Sequence, residues 1–389
     1  CKVASALGTG QTSCRIRRCE KTVANDGFAS GSTSISHIRK SARRVSVLWA
    51  LIIAAGAQAQ AADSLADIFG VEVEEAEALF EQETGPERLM KGLVLADLLG
   101  TASPERAIAQ LDALQMDTRQ DPAASAYAAA IRCSALVRQA RLDDAGPLCA
   151  TAHSSVDAIA EPFLKARILA ASSFQAIRQG RLRQALEHAY EAEHWAAASG
   201  NPYVEATSLN NIALTLAFSG LHEKAIEKFK RAQTFLRGDE DRPLSKMITF
   251  NLGVSFMACG SPESALEAFR EGFEWAESTG QAHRAFIGRI EVANALGQLE
   301  RWQEAIDLLD PALRDDDSRL DPDSHMHALL TYSRAELAMG SADKALQTVS
   351  KGLALAREHG NTRRLWQLTL ARIEGLAAAG KTKQAITAA

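Results

Sequence analysis

Three groups of residues are of types that could do chemistry. His325 and His327 flank Met326, and neutral imidazoles are favoured zinc ligands. Residues two apart on a helix point in different directions, so this pair reads as the polar surface of a first helical turn. Asp315, Asp316, Asp317, Asp321 and Asp323 cluster as calcium-binding carboxylates do. Their spacing is not that of an EF-hand loop, and a solvated acidic turn is the expectation. Cys133 and Cys149 sit at small or packed positions of two neighbouring helices. In an oxidising compartment they could join as a disulfide; the alternative is two inert buried thiols. Cys259 is left over in either case. The chain carries no phosphate-cradling glycine loop, nucleophile elbow, zinc-protease helix or paired-cysteine zinc spacing. No catalytic residue, metal site or cofactor is expected.

The elements that position these residues are set by repetition. Ala145, Ala185, Ala225, Ala265, Ala305, Ala345 and Ala385 recur every forty residues. Twelve residues before each of the first six stands Cys133, Ser173, Ala213, Gly253, Ala293 or Ser333, and seven after stands Ala152, Ala192, Ala232, Gly272, Ala312 or Gly352. Small side chains are required where two helices approach closely. Gly180, Gly220, Gly260, Gly340 and Gly380 fall five residues before the alanine, where a left-handed residue can end one helix before the next begins. Pro122, Pro162, Pro202 and Pro322 share a phase that suits a helix's first turn, and Pro243 lies one residue off it. Asp121, Asn201, Asp321 and Ser261 are placed to cap the helices they precede. Each repeat is read as helix, tight turn, helix.

Two repeats break the rules. Pro147 and Pro311 fall inside second helices, where proline removes a hydrogen bond and should kink or end the helix.

Asn211-Ile212-Ala213, Gly220, Ala225, Phe229 and Ala232, followed by Asn251-Leu252-Gly253, Gly260, Ala265 and Phe269, resemble the tetratricopeptide (TPR) repeat. The resemblance covers residues 121–389 and implies an all-α, right-handed α-solenoid of about seven repeats, the last incomplete. The period departs from the usual ~34 residues, and the extra length is expected in the second helix, as in Leu182 to Ala198. Residues 62–120 read as N-terminal helices with a degenerate first repeat, with Leu65, Ile68, Phe69, Leu79 and Phe80 on buried faces.

TPR arrays bind peptides or proteins on the concave face lined by first helices. The positions that should face it, counted from the six small first-helix residues, include no Asp or Glu. They do include Arg138, Arg167, Arg178 and Arg334, with Asn210, Asn294, Phe218, Met247, Phe250 and Met257. Arg138 and Arg178 should form a basic end, with an apolar middle for side-chain anchors. Asn211 and Asn251 match asparagines that contact a ligand's backbone or carboxylate in peptide-binding relatives. The complete basic clamp of chaperone-binding relatives is not evident. Many such residues in a solenoid only pack against neighbouring helices, and each of these has that reading beside the functional one.

Arg39, Lys40, Arg43 and Arg44 precede an apolar run from Val45 to Ala57, with Ala57-Gln58-Ala59 and Ala59-Gln60-Ala61 after it. Residues 40–61 read as a secretory signal peptide, and the run is short for a membrane span. An uncleaved anchor and a cytosolic regulator are the alternatives. Residues 1–39 open on Cys1 without a methionine and read as an upstream or disordered segment. Beyond residue 61 the net charge is −12, which makes nucleic acid an unexpected partner. The array stops four residues past Ala385, within a second helix, and reads as a fragment with a continuation.

The expectation is therefore an exported, periplasmic TPR module that captures a protein or peptide. Signal peptide followed by long repeats resembles the sensor half of membrane-bound signalling proteins, diguanylate cyclases of the GGDEF class or sensor kinases. In those the output domain and the membrane tether lie beyond the repeats. The rival is a self-contained periplasmic scaffold for envelope assembly.

Overall fold

The computed structural model describes residues 73–388 except 86, 115–117, 120, 239–242 and 315–320. The signal-peptide reading, Leu65, Ile68, Phe69 and the Asp315–Asp317 run lie outside the described residues. Within them the chain is all α.

Helices α1 (Val73–Gln82), α2 (Glu87–Ala102) and α3 (Pro104–Ala113) precede the regular array. First helices then alternate with second helices: α4 (Pro122–Arg138) and α5 (Leu142–Ser154), α6 (Pro162–Arg178) and α7 (Leu182–Ser199), α8 (Pro202–Phe218) and α9 (His222–Thr234). The pattern continues with α10 (Pro243–Ala258) and α11 (Pro262–Ser278), α12 (Ala282–Gln298) and α13 (Trp302–Arg314), α14 (Pro322–Ala338) and α15 (Ala342–Glu358). A last pair is formed by α16 (Thr362–Ala378) and α17 (Thr382–Ala388). Each helix packs on its sequence neighbours. The first helices also pack on one another, from α2 through α10 and again from α12 through α16.

The alanine ladder is where the two helices of a repeat touch. Ala145, Ala185, Ala225 and Ala265 have no exposed surface, and even Ala385 is only 7% exposed. Facing them, Gly253 leaves room that a side chain would lose: a Cβ there would meet the Phe269 ring at 2.8 Å. Phe229 and Phe269 fill the larger spaces with no exposure. Each such burial contributes about 2–3 kcal/mol, which offsets the thinness of the alanine-rich interfaces in these two repeats; the same position holds Cys149, Ala189, Leu309 and Val349 elsewhere.

Gly180, Gly220, Gly260, Gly340 and Gly380 all adopt left-handed φ between 71° and 77° or close below it, with Gly260 at 70°. Where the ladder lacks glycine, Ala140 and Glu300 make the same bend at φ 59°. Asp121 accepts hydrogen bonds from the backbone of Ala123 and Ala124, Asn201 from Val204, and Asp321 from Ser324. Ser261 makes no such side-chain bond; Pro262 at the first helical position already lacks one of the N–H groups a cap would serve.

Two expectations about the second helices need correction. Pro147 and Pro311 do not end their helices, since α5 and α13 each run on past the proline. The extra residues of the long repeat lengthen only alternate second helices: α7, α11 and α15 have 18, 17 and 17 residues, whereas α5, α9 and α13 have 13 each. After α5 the surplus forms a turn and a short 3-10 segment, Val156–Ala158. The long helices end at Gly200, Gly280 and Gly360, all left-handed. The structural unit of this stretch is thus a pair of repeats, eighty residues long, alternating long and short second helices.

Candidate concave binding groove

The first helices bring most of the expected residues to two clefts on one side of the solenoid. The first is lined by Arg138, Arg167, Asn210, Asn211 and Met247, together with Phe174 and Asp97. The second holds Met257, Asn294 and Arg334, together with Glu291 and His327.

Arg167 is not a free cation. Its Nη2 donates to Asp97 Oδ1 at 2.7 Å and its Nε to Oδ2 at 2.8 Å, and the Tyr127 hydroxyl donates to the same Oδ2 at 2.7 Å. Burial alone would lower the Arg167 pKa, but the charge and hydrogen bonds of Asp97 outweigh it and raise the pKa. Burial and the neighbouring carboxylate push the Tyr127 phenol up. This triad ties α2, α4 and α6 together beneath the groove.

Arg138 and Arg178 are different. Both end a first helix, both are exposed, and neither has a carboxylate partner among the described residues. Arg138 stacks its guanidinium 4.8 Å from the centre of the Phe174 ring. It keeps solvent-accessible surface yet lies inside the curve of the solenoid, and the surrounding protein depresses its pKa to about 10, by desolvation first and by Arg284 second. Protein at that distance strips bulk water from the field around the charge without covering the side chain, so the exposure and the shift are compatible.

Other expected residues are committed to structure. Asn211 is buried, and its Nδ2 donates to the carbonyl of Ala170 at 3.0 Å, joining α8 to α6. Asn251 Nδ2 donates to Asn210 Oδ1 at 3.2 Å, which joins α10 to α8. Phe250 packs on Phe269 with ring centres 5.1 Å apart and lies outside both clefts. Phe218 also lies outside them, although it is 62% exposed at the position corresponding to Arg138 and Arg178.

The acid-free inner face is corrected by the fold. The counted positions hold no acid, but Asp97 on α2 and Glu291 on α12 both line the clefts. Asn294 Nδ2 donates to Glu291 Oε2 at 3.3 Å and approaches His327 Nε2 at 3.4 Å, while Asn294 Oδ1 accepts from Thr331 at 2.8 Å. Burial raises the Glu291 pKa. Burial, then Arg364, lowers that of His327 to about 4. Both shifts favour the neutral forms, and Arg334 remains as the cation of the second cleft. Met326 is fully buried between the two histidines, and no group of three metal-capable side chains occurs among the described residues.

Cys133 and Cys149 are joined by a disulfide with their Cα atoms 5.5 Å apart, linking α4 to α5, and Cys259 is a free thiol.

No family model matches this sequence, and no curated protein matches it. Solved structures do resemble it in three dimensions. A Rap protein complexed with competence and sporulation factor superposes with a TM-score of 0.59 at 14% identity, covering 78% of this chain and 85% of that one. NprR in complex with its cognate peptide NprX gives 0.56 at 15% identity, covering 79% and 89%. A signal-transduction ATPase with a tetratricopeptide repeat sensor from Pyrococcus horikoshii gives 0.57 at 14% identity, covering 80% of this chain and 49% of that one. The fold is a TPR-like solenoid. At these identities the likeness concerns architecture, and the groove residues of this TPR-like solenoid stand on their own geometry. No helix among the described residues is long and apolar enough to cross a membrane.

Proposed function

We propose that this TPR-like solenoid is a non-catalytic module that binds a peptide or a protein segment in its concave groove. The observation that carries the reading is the first cleft: the guanidinium of Arg138, stacked on Phe174 and in no salt bridge among the described residues, shares the cleft with the amide of Asn210 and the thioether of Met247. A charge, a polar amide and an apolar anchor in one cleft are what an extended peptide requires. Rap and NprR, of similar architecture, are seen with competence and sporulation factor and with a cognate peptide respectively, and the second supports a peptide as the ligand here.

The finer reading is an exported sensor or scaffold. The Arg39–Ala61 signal-peptide pattern and the Cys133–Cys149 disulfide both suit an oxidising periplasm. A sensor role upstream of a diguanylate cyclase or kinase output rests on the resemblance of the repeat layout.

The binding reading is tested by selecting peptides from a random library on the full chain and measuring their affinity for R138E/R178E. Both sites are exposed helix ends, so the melting temperature should hold while affinity falls at least tenfold. Unchanged affinity would discard the groove. Cell fractionation tests export: recovery of the processed chain from the cytosol would end that part of the account.

A further inference from the structure

The array curls far enough that helices remote in sequence face each other. Arg284, in the first turn of α12, donates through Nη2 to the carbonyl of Thr101 at the end of α2, 183 residues earlier. Between them lies an open cavity of about 550 Å³ lined by Arg138, Phe174, Arg178 and Arg284. Three guanidiniums from α4, α6 and α12 therefore border one space, and no carboxylate lines it among the described residues.

That arrangement is costly as it stands. Several other arginines do meet a carboxylate: Arg106 with Glu77, Arg132 with Asp112, Arg167 with Asp97, Arg289 with Glu277, and Arg364 with an Asp323 that it shares with Arg363. In a chain of net charge −5, acids are plentiful, yet none forms a salt bridge with Arg138, Arg178 or Arg284 among the described residues; Asp97, which favours the charge on Arg138, is already held by Arg167. Burial lowers the Arg284 pKa, and Arg284 in turn disfavours the charge on Arg138. The N-terminal end of α12 adds its positive dipole to the same cavity, because Gln281 offers no side-chain cap. Concave walls focus such a field.

We propose that Arg138, Arg178 and Arg284 form a receptor for clustered carboxylates on an acidic peptide, shared between α4, α6 and the sequence-remote α12. The proposal rests on the peptide-binding reading and names its ligand class. A peptide is favoured because Phe174 lines both this cavity and the amide-bearing first cleft, so a bound chain can continue from charge to backbone contacts. Three arginines on separate helices suit several spaced carboxylates, each able to take a bidentate guanidinium. Such a ligand would also bridge α4 and α6 to α12, reinforcing the Arg284–Thr101 contact.

The test is a random-peptide selection run in parallel on the full wild-type chain and on R138Q/R178Q/R284Q, with thermal melts confirming that both are folded. Enriched wild-type ligands should carry two or more Asp or Glu near one end. Their affinity should fall at least tenfold for the triple variant and for their own Glu-to-Gln isosteres. Ligands without acidic residues, or acidic ligands that bind the triple variant equally well, overturn the receptor while leaving peptide binding in place. No enriched peptide on the wild-type chain overturns both. A variant too unstable to assay is replaced by R138Q/R178Q, whose sites are exposed helix ends, with the same outcomes.

Discussion

Asp97 on α2 accepts a two-point ion pair from Arg167 on α6, seventy residues away, and both side chains are nearly shut off from water, at 9% and 14% exposure. This contact fixes the degenerate first repeat to the regular array. Removing one partner leaves a buried charge unmatched, which costs about 3–5 kcal/mol. Asp97→Ala should therefore lower the urea midpoint strongly. Asp97→Leu with Arg167→Met and Tyr127→Phe, which also removes the hydroxyl that Asp97 accepts from, should recover most of the loss, because packed apolar groups of similar volume are often as stable as a buried ion pair. A triple variant as unstable as the single one would mean that the packing, rather than the charge, is what Asp97 supplies.

The disulfide closes a loop of sixteen residues, and such a constraint contributes roughly 3 kcal/mol by the chain-entropy argument. C133S/C149S should melt well below the oxidised chain and should match it after reduction. Equal melting of oxidised and reduced wild type would mean that the two sulfurs carry no bond in solution.

His327 supplies a pH signature. Its folded-state pKa, lowered to about 4 by burial and by Arg364, lies below the ordinary 6.5, so the unfolded chain binds more protons between those values. Its contribution is fully present above pH 6.5 and is lost as pH falls toward 4, amounting to at most about 3 kcal/mol. The charged groups facing it are Arg364, Arg363, Arg334, Asp323 and Glu291. Asp323, held down to about 2 by Arg364, Asn361 and Arg363 against the opposing effect of burial, stays ionised through that window. Urea midpoints of wild type and His327→Gln should diverge in slope between pH 6.5 and 4 and run parallel above it. Parallel curves throughout would contradict the assigned environment.

The repeat architecture was legible because close helix contact is a local, periodic demand. The ladder of alanines marks buried contacts and the glycine ladder marks left-handed turns. Alternation of the second helices was visible only in Gly200, Gly280 and Gly360, whose spacing is twice the repeat. The groove was less legible. Counting positions from the small first-helix residues found Arg138 and Arg178, but it could not reveal that Arg167 is neutralised from a repeat too degenerate to share the phase. Asn211 and Phe250 face the interior in a register the count does not resolve, because one helix face serves both groove and neighbouring helix. Arg284 was missed altogether. Its place beside Thr101 follows from the curvature of the whole array, which accumulates over several repeats and leaves no mark in any one of them.

The central claim is that ligand lies along the first helices, and amide hydrogen exchange of the full chain with and without a library-selected peptide tests it most directly. The account predicts slowed exchange in α4, α6, α8 and α10, extending to the first turn of α12, with α5, α7 and α9 unchanged. Protection confined to the second helices would place the ligand on the outer surface and contradict the account.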